Sequence, residues 1–384
     1  MRVLHLIKTA HGASWAVRQT SQLVKQGYDV HVALPDGPMV AQYQQAGVTA
    51  HRLSPAVNMA RPWQTPGLVA DLQDCIKQVQ PDLVHSHFVA STLLMRLAMR
   101  GSRIPRIFHI PGPLHLEHPL FRQLDLQTAG AHDFYLASCK WTQHTLTRYG
   151  VAPARVGLAY YGVNEEDFLK PAATAVNLPD LFPDDTAPFI VGMVAYFYGP
   201  KYFLGQRRGL KGHEDLIDAL AIVRRRHPQV KGVFVGGPWG SAQRYYQKVQ
   251  RYAHHKLGEA AVFLGQRNDV PSLYPQFQLA VHPSHSENVG GAVESMYARV
   301  LTLTSDVGGF PDLLLPGKTG YMAKAKSPTS LATEICRAVE NQASAPALIN
   351  QAFEQVSAVM NVEHNAREVS DFYQHVMKTH GGQQ

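Results

Sequence analysis

The sequence predicts two tandem α/β domains, each with a parallel sheet covered by helices on both faces. Short apolar runs alternate with stretches of helical periodicity, which is typical of parallel sheets. The alternation stops once, in a segment rich in proline and aspartate over residues 171–188, and then begins again. The length of 384 residues also exceeds what one hydrophobic core usually supports.

The first series of strands opens at the N-terminus. Residues 3–7 are predicted as a strand, 13–26 as a helix and 29–34 as the next strand, which together form a β-α-β unit. Three more strands are predicted at residues 83–86, 107–110 and 134–137. Ligands of parallel sheets bind beyond the carboxyl ends of the strands. This rule selects four positions in the first domain: His11-Gly12, His85, His87 and His109.

The second series begins after the proline-rich segment. Strands are predicted at residues 189–193, 233–235, 262–264, 279–281 and 301–304, with a helix over 213–226. A final helix over 362–378 has apolar residues at helical spacing and is predicted to pack back across the first domain. The predicted domains are therefore 1–170 with 362–384, and 189–361, joined by a linker over 171–188.

The composition and the net charge limit the possible binding partners and the cellular location. The formal net charge is +7, which favours anionic partners, but no nucleic-acid motif accompanies it. The three cysteines lack disulfide or metal spacing, and no apolar run could span a bilayer, so we expect a cytoplasmic protein. Four arginines in residues 96–106 indicate a solvated helix end. The alternative is a patch that contacts an anionic membrane face, such as the inner face of the plasma membrane.

Several motifs are absent or incomplete. His11-Gly12-Ala13 lacks the Gly-x-Gly-x-x-Gly spacing of nicotinamide enzymes, and Lys211-Gly212 lacks the Walker spacing. His85 and His87 share one face of a strand, but no third metal ligand of suitable spacing follows, so no metal is predicted. For His109, a buried structural role is the alternative to contact with a ligand. His115, in the following loop, contacts either an acceptor or water.

The stretch over residues 282–295 carries the strongest functional signal. Two carboxylates, Glu287 and Glu294, flank the pair Gly290-Gly291 at the start of a helix. The glycines let backbone amides approach a ligand, and the helix start favours a phosphate. A carboxylate beside an anion site accepts hydrogen bonds from hydroxyls, so the pattern indicates a nucleotide sugar. The alternative is a helix start with solvated acids. The predicted donor-binding residues here are Asn288, Val289, Gly290, Gly291, Ala292 and Glu294.

An unusual insertion precedes Lys211. Residues 195–210 interleave aromatic side chains with basic ones: Tyr196, Phe197, Tyr198, Lys201, Tyr202, Phe203, Arg207 and Arg208. This mixture indicates a loop that covers a sugar or phosphate, with a plain surface insertion as the alternative. A lysine at a helix start opposes the helix dipole, which favours a phosphate-facing role for Lys211.

Taken together, these pieces resemble the family 4 retaining glycosyltransferases of the GT-B fold. The resemblance covers nearly the whole chain and rests on the motifs Lys211-Gly212, Gly265-x-Arg267-x-Asp269-Val270-Pro271, Pro283-Ser284-x-x-Glu287, Glu294-Ser295 and Asp306-Val307-Gly308-Gly309-Phe310-Pro311-Asp312. It implies two Rossmann-like domains facing across a deep cleft. The second domain would bind the nucleotide sugar and the first the acceptor.

The resemblance also implies roles for single residues. Glu294 would hold the ribose hydroxyls, Glu287 would face the donor sugar and Lys211 the diphosphate. His109 would lie close to the transferred sugar. The base would lie against Arg267, Asp269 and Val270, and the acceptor side would include His11, Gly12 and His115.

Two departures from the family pattern stand out. Six residues separate Glu287 from Glu294, where the family usually has seven. The family also usually has an arginine directly after the glycine that ends the preceding strand, where this chain has Met193. The insertion offers replacements, of which we prefer Arg207, with Arg208 and Lys201 as alternatives.

The expected activity is transfer of a hexose, glucose from UDP-glucose, to a glycan or polyprenyl-linked sugar during exopolysaccharide or other cell-surface glycan synthesis. We expect retention through same-face attack without metal or cofactor, with a covalent enzyme intermediate as the alternative route. Two other functions stay open. One is a sugar-nucleotide epimerase of similar fold, and the other is a binding protein without catalysis.

Overall fold

The computed structural model describes residues 1–169, 176–185, 187–202 and 205–381. The chain forms two compact units, Met1–Asn164 with Met360–Gln384, and Glu165–Val359. The division falls after Asn164, earlier than the predicted linker. Of that linker, residues 171–175 and 186 lie outside the described residues, while Leu178 and Phe182 are buried in the core of the second unit.

The first unit contains a seven-stranded parallel sheet. Its strands are β1 (Arg2–Leu6), β2 (Asp29–Leu34), β3 (Thr49–Arg52), β4 (Leu83–Ser86), β5 (Arg106–Ile110), β6 (Asp133–Ala137) and β7 (Val156–Leu158). The strand order is β3-β2-β1-β4-β5-β6-β7, so the chain adds strands toward one edge from β1 to β3 and toward the other edge from β4 onward. The helices of this part are α1 (Ser14–Lys25), α2 (Met39–Gln45), α3 (Thr65–Val79), α4 (Val89–Ala98), α5 (Leu114–Glu117), α6 (Pro119–Thr128) and α7 (Lys140–Arg148).

The second unit repeats the plan with six parallel strands. They are β8 (Phe189–Val194), β9 (Val230–Val235), β10 (Ala261–Gly265), β11 (Leu279–His282), β12 (Thr302–Ser305) and β13 (Tyr321–Ala323), in the order β10-β9-β8-β11-β12-β13. The helices are α8 (Glu166–Leu169), α9 (His213–Val223), α10 (Gln243–Leu257), α11 (Val270–Leu273), α12 (Gly290–Tyr297), α13 (Phe310–Leu313), α14 (Pro328–Glu340) and α15 (Ala345–Val359). The prediction of two tandem Rossmann-like α/β domains is confirmed.

The final helix, α16 (Val362–Gly381), belongs to the first unit although it follows the second in sequence. Its apolar face joins the core of the first unit through Val369, Phe372, Tyr373 and Val376. Because these positions recur at helical spacing, one face of the helix is buried along its length. The predicted return of the C-terminal helix is therefore confirmed.

Two of the four arginines in residues 96–106 are inside the first unit. Arg96 and Arg106 are only 7% and 6% exposed. Arg96 donates to Asp125 at 2.9 Å and to Asp133 at 3.1 Å, and Arg106 donates to Asp133 at 2.9 Å. Buried charges are stable only when paired in this way. The prediction of a solvated helix end, and its membrane alternative, are therefore wrong for these two residues.

Among the described residues, none of the helices is long and apolar enough to cross a membrane.

Candidate functional site

A cavity of ≈ 320 Å³ lies in the second unit at the carboxyl ends of β8, β9 and β10 and beside the start of α12. The strand order reverses between β8 and β11, and ligands of parallel sheets bind where the strand order reverses. The lining residues are Val194, Ala195, Tyr196, Tyr198, Lys211, Val235, Gly236, Gln266, Arg267, Val270, Gly291 and Glu294. The sequence-predicted residues brought together here are Lys211, Arg267, Val270, Gly291 and Glu294.

The start of α12 forms one wall of the cavity. Its N-cap, Val289, offers no side-chain hydrogen bond to the first helical N–H groups. Gly291 lines the cavity, and a Cβ atom at this position would lie 2.9 Å from the Nδ1 atom of His282. Glycine therefore lets the helix begin close to β11. The positive end of the helix dipole and the backbone N–H groups favour an anion at this wall.

Glu294 is fixed on the cavity wall by a buried tyrosine. The hydroxyl of Tyr274 donates to Oε2 of Glu294 at 3.2 Å. Burial and the neighbouring carboxylate raise the pKa of Tyr274 well above its usual value, so the phenol keeps its proton and remains a donor. The Glu294 side chain is thereby held with its carboxylate at the cavity, where it can accept hydrogen bonds from hydroxyl groups. Sequence reasoning missed Tyr274, because nothing in its local pattern distinguishes it from a core tyrosine.

Lys211 forms an ion pair with Glu287. Burial lowers the pKa of Lys211, but the Glu287 carboxylate outweighs burial and raises this pKa above its usual value. The lysine lines the cavity as a cation, with Nζ 5.9 Å from the centre of the Tyr198 ring. Glu287 approaches closely because Gly290 has no side chain: a Cβ atom there would lie 2.9 Å from Cδ of Glu287.

Arg267 supplies a second cation to the cavity. It forms a two-pronged ion pair with Asp269, with Nε 2.8 Å from Oδ1 and Nη2 2.5 Å from Oδ2. This pair fixes the plane of the guanidinium on the wall formed after β10. Asp269 is buried and lies behind Arg267, and Val270 lines the cavity beside it.

Tyr196 and Tyr198 of the insertion line the cavity, but the basic residues of the insertion do not. Met193 is 2% exposed and belongs to the hydrophobic core. Arg208 is held by two carboxylates, Asp215 at 2.5 Å and Asp218 at 2.7 Å. Arg207 is exposed, and none of Arg207, Arg208 and Lys201 lines the cavity. Phe203 lies outside the described residues. The cavity thus combines Lys211 with Arg267, and a substitute for the missing arginine from the insertion stays a prediction.

His109 is wholly buried in the first unit. Its Nε2 atom lies 2.9 Å from the carbonyl oxygen of Ala159, and its ring stacks on Tyr161 with centroids 4.0 Å apart. Burial lowers the pKa of His109 to about 3, so the imidazole is neutral. Its Nδ1 atom has no partner among the described residues. The proposed role beside a transferred sugar stays a prediction.

The residues predicted for the acceptor side lie in the first unit. His11 and Gly12 are exposed after β1, and Gly12 has a φ of 68°, which glycine adopts without strain. The Nε2 atom of His115 lies 3.3 Å from Oδ2 of Asp125. It therefore adjoins the buried ion pair of Arg96.

The first unit also contains a cluster of three histidines that could hold a metal ion. Ring nitrogens of His5, His85 and His87 lie within 4.8 Å of one another. His5 on β1 is the register partner of His85 on β4. His5 is the third possible ligand beside His85 and His87. The sequence did not identify it, because no local sequence pattern shows that β1 pairs with β4.

Five of the six ring nitrogens of this cluster are joined by hydrogen bonds in one consistent order, and Nε2 of His85 has no partner among the described residues. Tyr161 donates to the carbonyl oxygen of His109 at 3.2 Å, so it accepts from Nδ1 of His87 at 2.9 Å. Nε2 of His87 then accepts from Nδ1 of His5 at 2.9 Å. The remaining bonds connect His5 to Tyr373 at 3.3 Å and Tyr373 to His85 at 2.5 Å. In this arrangement the three imidazoles form a hydrogen-bonded network of neutral rings, and a bound metal would replace some of these bonds.

Two family profiles match the chain. The family described as "Glycosyl transferases group 1" matches residues 202–355, and "Glycosyltransferase Family 4" matches residues 12–167. The chain is 25% identical over 327 residues to D-inositol 3-phosphate glycosyltransferase of Streptomyces avermitilis, covering 78% of this chain and 66% of that protein. It is 26% identical over 276 residues to the Streptomyces scabiei protein of the same name, covering 65% of this chain and 58% of the relative. The chain thus spans less than two thirds of the length of these relatives.

Solved structures share the fold over nearly the whole chain. Sucrose-phosphate synthase from Thermosynechococcus elongatus aligns with a TM-score of 0.79 and 19% identity, covering 99% of this chain and all of that one. HepE from Anabaena, solved in complex with UDP-glucose, aligns with a TM-score of 0.76 and 19% identity, covering 97% of this chain and 99% of the HepE chain. With both halves matched by glycosyltransferase profiles and the fold shared with such enzymes, this chain belongs to the family 4 glycosyltransferases of the GT-B fold.

Proposed function

We propose that this protein is a retaining, metal-independent glycosyltransferase that transfers glucose from UDP-glucose to a glycan or polyprenyl-linked sugar. The observation that carries the proposal is one cavity that combines a fixed carboxylate, two cations and a helix start. These are the groups needed to bind ribose hydroxyls and a diphosphate together. We place the reaction in cell-surface or exopolysaccharide synthesis on the cytoplasmic side of the membrane.

In this proposal each part of the donor lies against a different wall of the cavity. Glu294 accepts hydrogen bonds from the ribose hydroxyls, while the diphosphate lies between the start of α12 and Lys211. The base then lies against the wall that carries Arg267 and Val270. For UDP-glucose in particular, the support is the fold shared with HepE, which was solved with this donor.

The proposed reaction breaks the bond between the anomeric carbon and the diphosphate oxygen, and the electron pair leaves with that oxygen. The acceptor hydroxyl attacks the same face of the sugar, forms the new C–O bond and gives its proton to the departing phosphate. Lys211 and the α12 N-terminus stabilise the charge that develops on the leaving group. The fixed Lys211 cation and the helix N-terminus support a mechanism without a divalent metal.

Glu287 has two states in this proposal. Without donor, it neutralises Lys211 inside the cavity wall. A bound diphosphate, which carries about two negative charges, competes with Glu287 for the lysine. Glu287 then becomes available to accept hydrogen bonds from the hydroxyls of the donor sugar.

The test measures release of UDP from UDP-glucose, with GDP-mannose and UDP-galactose in parallel, and with and without polyprenyl-linked glucose. The proposal expects release that depends on the acceptor, continues in excess chelator and gives an α-linked product by NMR. A β-linked product, or activity that disappears in chelator and returns with magnesium or manganese, would overturn the retaining, metal-independent assignment.

Two incubations separate the competing functions, one with donor alone and one with donor and each acceptor. Appearance of an epimer would identify an epimerase. Tight binding of the donor with no product from any acceptor would identify a binding protein.

A further inference from the structure

A second pocket lies beside the cavity lined by Lys211, Arg267 and Glu294, which we call the donor cavity after its proposed ligand. This second pocket lies in the second unit, between the insertion after β8 and helix α10. Its volume is ≈ 560 Å³, and Tyr198 lines both this pocket and the donor cavity. Small-molecule sites in proteins have volumes of about 300–1,000 Å³. The proposed transfer reaction does not use this pocket.

Exposed aromatic rings are concentrated here. Among the described residues of the second unit, the large aromatic side chains that are strongly exposed are Tyr196 at 39%, Tyr202 at 69% and Trp239 at 51%. Tyr202 and Trp239 line the pocket, and the ring of Tyr196 lies edge-on to Trp239 with centroids 5.1 Å apart. Apolar surface gathered at one place, rather than scattered, marks a binding surface.

The backbone holds these rings in place. The backbone N–H of Phe197 donates to the carbonyl oxygen of Gly237 at 3.0 Å, and the backbone N–H of Trp239 donates to the carbonyl oxygen of Phe197 at 3.1 Å. These bonds extend the pairing of β8 and β9. Phe197 is buried in the core, so its neighbours Tyr196 and Tyr198 lie on the opposite side of the extended segment. The aromatic side of the pocket is therefore formed before any ligand arrives.

The pocket is positively charged. Lys201, Arg244 and Lys248 line it, and no acidic residue is among its lining residues. Within the described part of the chain, none of the three forms an ion pair. Arg244 and Lys248 are four residues apart on α10, and like charges at this spacing destabilise a helix. An anion bound between them would remove that repulsion.

We propose that this pocket binds a saccharide that carries a carboxylate or a phosphate. The C–H face of the sugar ring packs on Trp239 and Tyr202, and the anionic group binds Arg244 and Lys248. Because the surface is a concave pocket, it fits a sugar better than a flat bilayer. The proposal goes beyond the transfer reaction and does not depend on it.

The test uses calorimetric titration with two anionic saccharides, hyaluronan tetrasaccharide and glucose 6-phosphate. Chitotetraose, which is neutral, and inorganic phosphate are the comparison ligands. We expect at least one anionic saccharide to bind more tightly than both comparison ligands. The double variant Arg244→Ala/Lys248→Ala should weaken that binding by about tenfold or more, and Trp239→Ala should weaken it as well.

The matched control is Arg251→Ala, which removes an exposed cation from the same helix outside the pocket and should leave saccharide affinity unchanged. If neither anionic saccharide binds at millimolar concentration, or if phosphate alone binds as tightly, the proposal is wrong. Binding of the wild-type protein to phosphatidylglycerol vesicles, lost in the double variant without any saccharide binding, would instead identify a membrane contact. UDP-glucose affinity, measured in the same variants, reports separately on the donor cavity.

Discussion

At the scale of single residues, the donor cavity depends on side chains that are each held by a second side chain. Tyr274 fixes Glu294, Asp269 fixes Arg267 and Glu287 holds Lys211. A charged group that is already oriented loses less freedom when a ligand binds. The cavity is therefore prepared for a ligand that carries both hydroxyl groups and negative charge.

Glu294→Gln should weaken binding of UDP by about tenfold to a hundredfold, because a charged acceptor is worth roughly 1.5–3 kcal/mol. The amide oxygen of glutamine can still accept from Tyr274, so the fold should be preserved. Calorimetric titration with UDP measures the change. Glu354→Gln on α15, where the side chain is exposed, is the matched control and should bind UDP normally. Equal affinities of the two variants would remove Glu294 from the donor site.

The two cations of the cavity should dominate turnover. Lys211→Ala should lower kcat by about 10²–10³, because it removes the group that we propose to stabilise the leaving diphosphate. Arg267→Ala should lower kcat/KM through weaker donor binding. Arg208→Ala should mainly lower the thermal stability, because it leaves Asp215 and Asp218 without their shared partner.

Steady-state kinetics and thermal melts of the same variants separate these effects. Lys324→Ala, an exposed lysine of the same unit, is the control and should leave both unchanged. A greater loss of turnover in Arg207→Ala than in Arg267→Ala would restore the insertion as the source of the second cation.

At the scale of secondary structure elements, the first turn of α12 couples the glycine pair to the ion pair. Gly290 has a φ of 22° and leaves no room for a Cβ atom beside Glu287. The glycines therefore serve two roles, since one brings the helix start to the cavity and the other gives Glu287 its position.

Gly290→Ala should displace the Glu287 carboxylate from Lys211 and lower turnover by about tenfold, with a loss of a few degrees in Tm. Turnover assays and thermal melts measure both quantities. Gly67→Ala on α3, where a Cβ atom has no neighbour within 4 Å, is the control. Normal turnover in Gly290→Ala would mean that the position of Glu287 does not matter.

The sequence predicted the central strands of both sheets and missed three strands at the edges. These are β3, β7 and β13, which are only four, three and three residues long. Central strands are buried on both faces and form apolar runs, whereas short edge strands carry no such signal. The start of β9 was also missed, because Lys231 and Gly232 interrupt its apolar run.

The candidate site was predictable where its residues lie in the segments that run from the carboxyl end of a strand into the next helix. Lys211, Arg267 and Glu294 meet because parallel strands end at one edge of the sheet. The partners that hold them were not predictable, since Tyr274 reaches Glu294 across 20 residues of chain. His5 and His85 lie further apart still and meet only through strand pairing.

At the scale of the whole molecule, the histidine network makes stability depend on pH. Burial lowers the pKa of His5 and of His109 to about 3, and the pKa values of His85 and His87 are lowered by burial and by neighbouring histidines. The unfolded chain takes up these protons near pH 6.5, but the folded chain does not. Stability is therefore fully present above about pH 6.5 and is lost as the pH falls toward 3.

Each of these histidines should steepen the fall of stability with decreasing pH below about pH 6.5, by up to one proton per group. The measurement is urea unfolding at several pH values, followed by tryptophan fluorescence in a Trp239→Phe background. The three remaining tryptophans, Trp15, Trp63 and Trp141, all lie in the first unit. His109→Phe should reduce the slope by one proton, while exposed His254→Gln should not change it. A slope unchanged in His109→Phe would contradict a neutral buried imidazole.

The position of α16 has a consequence for synthesis of the chain. Its residues Val369, Phe372 and Tyr373 complete the core of the first unit, yet the ribosome makes them only after the whole of Glu165–Val359. At about 5–20 residues per second, the first unit waits roughly 10–40 s for its last helix. During that interval the apolar surface that α16 later covers is open to solvent. Newly made chains should therefore bind chaperones through the N-terminal unit, and truncation before Val362 should yield aggregates even though the donor cavity is intact.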